Sequence, residues 1–544
     1  MSFETILEQS TIDDFTAQGL WQNRVLTDLL DEAAARTPDR RAVTDSRGHI
    51  TYAELKAKSD RVALGLLENG IRPGDVISFQ LPNWIEFVIL HMACTRIGAV
   101  NNPLIPIYRE REIGYMVGLA ESKWLVVPSE FRKFDYVAMA ESLRGDWPSL
   151  ERLLVVDAKE GQDSWEEFVN TPWEERRDPA ELAALRPDPN DVTLLMFTSG
   201  TTGEPKGVMH THNTLIAANA GIPDRMGLNE ESVIHMASTF AHLTGFLFGV
   251  RLAIQNGLHL VAQDVWNAQE FLGLVQEHKI SYTSGATPFL HDLLSNLPED
   301  TTGLQSLVRF CCMGAPIPRT YVREGAQKLP GMAILGGWGQ TENGLITICA
   351  PGDPEEKVTS TDGFPYPGME VRTVDIENNL VAPGTEGRLQ ARGAFMFVGY
   401  LRRLEMTREL FTEDGWFDTG DLAIMDEDGY ISISGRTKDI IVRGGENIPV
   451  AYVENVLYEN PDFRSVAVIG IPDPRLQERA CACLVMQDGV EPYDLAKLRE
   501  YLSAKGVAKQ YWPEEVLVMD VFPTTPSGKI QKFHLRESAV KELA

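Results

Sequence analysis

The stretch TSGTTGEPKG at 198–207 gathers glycines, hydroxyl side chains and one lysine. Gly200, Gly203 and Gly207 let a backbone turn tightly and present its N–H groups. Thr198, Ser199, Thr201 and Thr202 add hydroxyl donors, and Lys206 adds a mobile cation. Such a set suits an anion with many oxygens, above all a nucleotide triphosphate. The same residue types also favour ordinary solvated turns, so the loop alone leaves both readings open. It is not the common P-loop, which needs Gly, four residues, Gly-Lys and then Ser or Thr. Here Pro205 precedes Lys206 and Gly207 follows it.

Further chemistry-bearing stretches follow in order. STFAHLTGF places His242 among Phe240, Thr244, Gly245 and Phe246. CCMGAP contains the small turn Gly314, Ala315, Pro316. GGWGQTENG sets Gly337, Trp338, Gly339, Gln340, Thr341 and Glu342 in a row, with Gly344 just beyond. A flat aromatic can stack on a base. A carboxylate can hold a hard cation that shares phosphate oxygens. WFDTGDLA contributes Asp421; ISGRTKDIIVRGGENI contributes Arg436, Lys438, Gly444, Gly445 and Glu446. PTTPSGKIQK contributes Lys529 near the end. Taken singly, each has a plain alternative: a core histidine, a packing turn, an exposed aspartate, a solvated lysine.

Taken in this order over nearly the whole chain, these stretches closely resemble the adenylate-forming superfamily of acyl-CoA synthetases, luciferases and peptide-synthetase adenylation domains. The resemblance implies ATP, Mg²⁺ and coenzyme A as reactants and gives each residue a role. Residues 198–203 and Lys206 would hold the β- and γ-phosphates, with Thr202 counted among the catalytic groups. His242 would stand beside the carboxylate pocket with Phe240, Thr244, Gly245 and Gly344. Gly314, Ala315 and Pro316 would line one side of adenine, and Trp338 would stack on the other, where Tyr is commoner. Thr341 would bind phosphate, flanked by Gly337, Gly339 and Gln340, and Glu342 would hold Mg²⁺. Asp421 would accept from the ribose hydroxyls and Arg436 would contact ribose and phosphates. Lys438 would be a hinge, Gly444, Gly445 and Glu446 a turn near the CoA thiol, and Lys529 the adenylation lysine.

The implied reaction joins a carboxylate to ATP, giving acyl-AMP and pyrophosphate, and then passes the acyl group to CoA with release of AMP. Amino-acid-activating members carry an Asp in the second stretch. Phe240-Ala241-His242 has no carboxylate, and a buried ammonium without a partner is costly, so an acid lacking an amine is expected. Gly245, Gly249 and Gly344 are expected to leave room for a bulky apolar group. The chain ends soon after Lys529, so free CoA rather than an attached carrier domain is the expected acceptor. LWQNRVLTDLL, SFQLPNW and NNPLIPIYREREI further resemble cyclohexanecarboxylate–CoA ligases and short- and medium-chain acyl-CoA synthetases. A medium-chain or alicyclic acid is therefore expected. A stand-alone enzyme that loads a carrier protein, a non-catalytic nucleotide-binding homologue and a luciferase-like oxygenase remain alternatives.

The elements that must position these groups are legible in outline. TYAELKAKSDRVALGLLENG reads as a helix: Thr51 and Glu54 have capping-box spacing, Leu55, Val62 and Leu66 share a face, and Gly70 marks the stop. VISFQLPN, KWLVVPS, RLLVVDA and VTLLMF read as strands between helices, and WIEFVILHMACTRIGAV as a buried helix. This rhythm predicts an α/β fold with layered, mainly parallel sheets and helices over 1–437. RPDPNDV and 350–363 read as polar connections. From about 430 the texture changes: YISISG, SVAVIGI and RACACLVM read as strands, Val453, Val456 and Leu457 share one helix face, and DLAKLREYLSAKG is a second helix. Residues 438–544 are expected to form a small mobile α+β domain.

Composition bounds the rest. The 544 residues exceed what one compact core usually organises. With 43% hydrophobic and 24% charged residues, broad disorder is not expected. The net charge of −28 argues against bulk nucleic-acid or anionic-membrane binding. The six cysteines show no CxxC pair and read as small core residues. No secretory signal is recognisable, and no run reaches the roughly 18 apolar residues of a spanning helix. The cytoplasm is the expected compartment, and homo-oligomeric assembly stays open.

Overall fold

The computed structural model describes residues 3–198, 205–314, 317–437, 441–443, 446–448, 450–473, 475, 477–524 and 530–542. Two large sheets organise the first part of the chain. The nine-stranded sheet runs Phe364–Pro365, Gly344–Ile348, Ala333–Gln340, Arg309–Cys312, Tyr282–Gly285, Val233–Met236, His259–Ala262, Arg41–Asp45, Gly48–Thr51. Its strands from Ala333–Gln340 to Arg41–Asp45 are parallel, and both edges are antiparallel. The seven-stranded sheet runs Gly399–Tyr400, Lys206–Thr211, Val192–Thr198, Val100–Pro103, Val76–Phe79, Trp124–Pro128, Arg152–Val156. It is parallel from Val192–Thr198 onward.

Local chemistry sets the helices. Thr51 caps the helix Tyr52–Glu68: its hydroxyl accepts from the Glu54 N–H, and the Glu54 carboxylate accepts from the Thr51 N–H. The helix Ile85–Arg96 is apolar on nearly every side and is buried accordingly. Its Phe87 ring meets Phe79, Phe240 and Phe246, which ties it to the stretch bearing His242. Ala99 and Val100, placed within this helical run by sequence, instead turn into the next strand after Arg96.

Two differences from the sequence expectation stand out. Residues 369–436 do not continue the parallel layers. Met369–Val374, Glu386–Gly393, Phe417–Met425 and Ile431–Arg436 form an antiparallel sheet in chain order. The joins are the segments 375–385, 394–416 and 426–430, the second carrying the short strand Gly399–Tyr400 and the helix Leu404–Glu409. The 350–363 connection also contains a helix, Glu355–Ser360, with two acidic residues in its first turn, where the helix dipole favours them.

The smaller C-terminal part has its own sheet. Gln477–Met486 pairs with Ile441–Arg443, Phe463–Asp473 and Glu515–Val518, and Glu446–Ile448 adds to Ile441–Arg443. Period-two alternation splits its cores. Ala480, Ala482 and Leu484 pack with Val453, Leu457, Leu498 and Leu502 on one face. Cys481, Cys483 and Val485 pack with Leu535 and Ala539 on the other. Cys94, Cys311, Cys312, Cys349, Cys481 and Cys483 are all buried and free, as small core residues should be. Among the described residues, no helix is long and apolar enough to cross a membrane.

Candidate active site

Thr198 and Lys206 stand opposite each other on antiparallel strands and bracket the glycine-rich stretch. Ser199, Gly200, Thr201, Thr202 and Gly203 lie outside the described residues. Gly207 is pressed against Leu195; an added Cβ would come within 2.7 Å of its Cδ1. Lys206 carries its Nζ 4.8 Å from the ring centroid of Tyr400. That ring belongs to the edge strand Gly399–Tyr400, where Tyr400 pairs with Val208. The Tyr400 hydroxyl donates to Glu342 Oε1 at 2.7 Å. Burial and the adjacent carboxylate push its phenol well above the ordinary range. One aromatic side chain thus links the lysine of the first stretch to the glutamate of the third. Nothing in motif spacing marks Tyr400, and sequence reasoning missed it.

The Thr341–Glu342 turn is held from two sides. The Glu342 carbonyl accepts from the Phe397 N–H at 2.7 Å. The Thr341 carbonyl is 2.7 Å from His210 Nε2, which must donate there. His210 is fully enclosed, and burial pushes its pKa down to about 4, so the ring is neutral. His210 was also missed by sequence; its position at the end of Lys206–Thr211 gives no chemical signal.

A second cluster forms around Asp421. It sits opposite Arg436 on neighbouring antiparallel strands. Arg436 Nε lies 3.1 Å from Asp421 Oδ1. Trp338 Nε1 and Gln340 Nε2 each donate to Asp421 Oδ2 at 2.9 Å. Gln340 Nε2 also donates to the Thr419 carbonyl, and the Asp421 N–H donates to Thr419 Oγ1. Asp421 is only 3% exposed, so these donors compensate a charge that would otherwise be costly to bury. Trp is therefore more than a flat face here: its N–H reaches a carboxylate.

The glycines of this stretch are required by close approach. A Cβ on Gly339 would come within 1.8 Å of the Gly344 carbonyl oxygen, and one on Gly337 within 2.9 Å of the Thr347 carbonyl oxygen. Gly344 adopts φ 65°. Gly314 adopts φ 84° on an exposed turn with open space around it; Ala315 and Pro316 lie outside the described residues.

His242 is half-buried and caps a short helical turn, its Nδ1 accepting from the Thr244 N–H at 3.3 Å. The neutral ring therefore carries its proton on Nε2, as a donor. Phe240 is buried against Phe87, and its N–H donates to Asn83 Oδ1. The room expected from Gly245 and Gly249 is not there. A Cβ on Gly245 would come within 2.2 Å of the Thr239 carbonyl oxygen, and one on Gly249 within 2.8 Å of Met236. These glycines serve tight packing of Phe246–Arg251, a π-helical segment, against its neighbours. Gly344 faces Ala218 and Leu247 at ordinary contact distance.

Among the described residues, no three His, Cys, Asp or Glu side chains converge on a metal position. Among the described residues no ion pair of Glu342 with a Lys or Arg is seen, and its Oε1 accepts from the Tyr400 hydroxyl. Lys438, Gly444, Gly445 and Lys529 lie outside the described residues. Glu446 opens the strand Glu446–Ile448, and its side chain is likewise outside them.

The AMP-binding enzyme family matches residues 30–401, and the AMP-binding enzyme C-terminal domain matches 452–529. The chain belongs to the AMP-binding enzyme family. The resemblance to adenylate-forming enzymes is thereby established. This AMP-binding enzyme is similar to the medium-chain fatty-acid–CoA ligase of Escherichia coli (strain K12), with 36% identity over 530 residues covering 97% of this chain and 93% of the relative. It is also similar to a salicylyl-CoA synthase / salicylate adenylyltransferase from Streptomyces sp, with 32% identity covering 96% and 95%. ATP-bound MatB from Rhodopseudomonas palustris superposes with a TM-score of 0.82 at 25% identity, covering 96% of this chain and 100% of that one. The large α/β N-terminal part and the smaller C-terminal part are those of AMP-binding enzymes.

Proposed function

We propose that this AMP-binding enzyme is an ATP- and Mg²⁺-dependent acid–CoA ligase acting on a medium-chain or alicyclic acid. The observation that carries the reading is one hydrogen-bonded frame with two ends. Trp338, Gln340 and Arg436 converge on Asp421 at one end. Lys206 and Glu342 meet on Tyr400 at the other. The first end suits a nucleoside and the second suits its phosphates. Residues 337–342 join the two.

Both reactants of the first step are anions, so catalysis must chiefly neutralise and align charge. Asp421 and Arg436 would hold the ribose, with Trp338 against adenine. Residues 198–203 and Lys206 would steady the β- and γ-phosphates. Glu342 would hold Mg²⁺, which supplies charge neutralisation on phosphate oxygens. His242 Nε2 would orient the acid carboxylate, and Lys529 would bridge that carboxylate and the α-phosphate. The carboxylate oxygen bonds to the α-phosphorus, the bond to pyrophosphate breaks, and acyl-AMP results. The CoA thiol then attacks the acyl carbon, AMP leaves, and the thioester forms. In this reading 1–437 is the adenylation domain and 438–544 a lid that rotates about Lys438, bringing Gly444, Gly445 and Glu446 towards CoA. We place the enzyme in the cytoplasm.

The acid class rests on the absence of a carboxylate in 240–242 and on the fatty-acid–CoA ligase relative. The salicylate-activating relative supports an aryl acid as a second reading. CoA-dependent AMP release, measured with acetate, hexanoate, cyclohexanecarboxylate, benzoate, salicylate, palmitate and amino acids, separates them. Preference for hexanoate or cyclohexanecarboxylate is expected. Preference for salicylate or benzoate would transfer the assignment to aryl acids, and AMP release without CoA dependence would point to a carrier protein.

A further inference from the structure

The donors around Asp421 are shared unevenly between its two oxygens. An ionised carboxylate offers about four acceptor positions, two on each oxygen. On Oδ2 both are taken, because Trp338 Nε1 and Gln340 Nε2 each donate to it at 2.9 Å. Neither donor has another use for that hydrogen. An indole nitrogen has a single hydrogen and accepts nothing. Gln340 Nε2 has two hydrogens, and the second goes to the Thr419 carbonyl at 2.8 Å. Both partners of that nitrogen are oxygen acceptors, so a flipped amide would set oxygen against oxygen. Thr419 is itself fixed: its hydroxyl donates to the Leu389 carbonyl at 2.7 Å and accepts from the Asp421 N–H at 3.1 Å.

Oδ1 is less crowded. Among the described residues its side-chain partner is Arg436 Nε at 3.1 Å, which stands across from it in the antiparallel pair Asp421–Arg436. That contact takes one acceptor position and leaves one.

Given the ribose role already proposed for Asp421, we infer that its carboxylate accepts from one ribose hydroxyl and not from both. Oδ1 serves that hydroxyl, while Trp338 and Gln340 occupy Oδ2. Trp338 and Gln340 are then positioning residues as well: they set the plane of the carboxylate and decide how many nucleotide hydroxyls it reads. A nucleotide lacking the unread hydroxyl should be accepted.

The direct test is calorimetric binding of ATP, 2′-deoxyATP and 3′-deoxyATP to the natural protein with Mg²⁺, which requires no choice of acid. Losing a hydrogen bond to a charged group weakens binding roughly tenfold or more. One deoxynucleotide should bind that much more weakly, and the other nearly as well as ATP. Comparable weakening of both would overturn the one-hydroxyl inference and leave Asp421 on the ribose. Equal binding of all three would take Asp421 off the ribose, and the inference would fall with that role. Trp338→Phe keeps a flat ring and deletes the donor, which frees a position on Oδ2. This variant should become sensitive to loss of the second hydroxyl, a gain in selectivity that weakened packing does not produce. Unchanged ratios among the three affinities in Trp338→Phe would refute the positioning role.

Discussion

At the scale of the residue, two side chains carry sharply different expectations. Lys529 is proposed to act only on acyl-AMP formation. Loss of one preorganised donor costs on the order of 3 kcal/mol, about a hundredfold or more in rate. Lys529→Ala should lose that much in acid-dependent ATP–pyrophosphate exchange and keep thioester formation from supplied acyl-AMP. A comparable fall in the second step would reject the role. Tyr400 instead acts through its neighbours: its hydroxyl fixes Glu342 and its ring lies beneath Lys206. A hydrogen bond to a charged group contributes about 1.5–3 kcal/mol. Tyr400→Phe should therefore lower kcat/KM for adenylation roughly tenfold, with little change in unfolding midpoint. Tyr400→Ala, which also removes the ring from Lys206, should lose more. Unchanged adenylation in the Phe variant would show the contact to be incidental.

Elements decide whether such side chains meet. The capping box at Thr51 and Glu54 was legible because it spans three residues and depends on local geometry. The alternation in Gln477–Met486 was legible for the same reason. The antiparallel sheet of 369–436 was less so, since strand order reflects pairing between distant segments. It is this sheet that sets Arg436 across from Asp421. The proposed hinge also belongs at this scale. Fixing φ at Lys438 should block rotation without touching reactants. Lys438→Pro should stall thioester formation while sparing acyl-AMP formation, each followed in single-turnover assays. Equal loss of both would remove the hinge from the scheme.

The whole molecule buries several neutral imidazoles, and this predicts its acid response. Burial pushes His91 and His235 down to about 3 and His210 and His259 down to about 4. In the unfolded chain a histidine takes up its proton near pH ~6.5. Between these values the unfolded state binds more protons, so stability falls with falling pH. Their contribution is complete above pH ~6.5 and is lost progressively towards pH 4. Unfolding midpoints at constant ionic strength should drop over that window, before most carboxylates titrate. A flat midpoint from pH 7 to 4.5 would contradict the neutral burial of these rings.

Residue types and their order determined the family resemblance and the outline of α/β layers. They could do so because a motif's chemistry is carried by its own few residues, and helix and strand periodicity are local properties. Tertiary structure alone decided who touches whom. Trp338 reaches Asp421 across 83 residues, and Tyr400 reaches Glu342 across 58. It also gave Gly245 and Gly249 to close packing rather than to an open pocket. Such contacts depend on strand order and on which layers press together, and no local pattern encodes those.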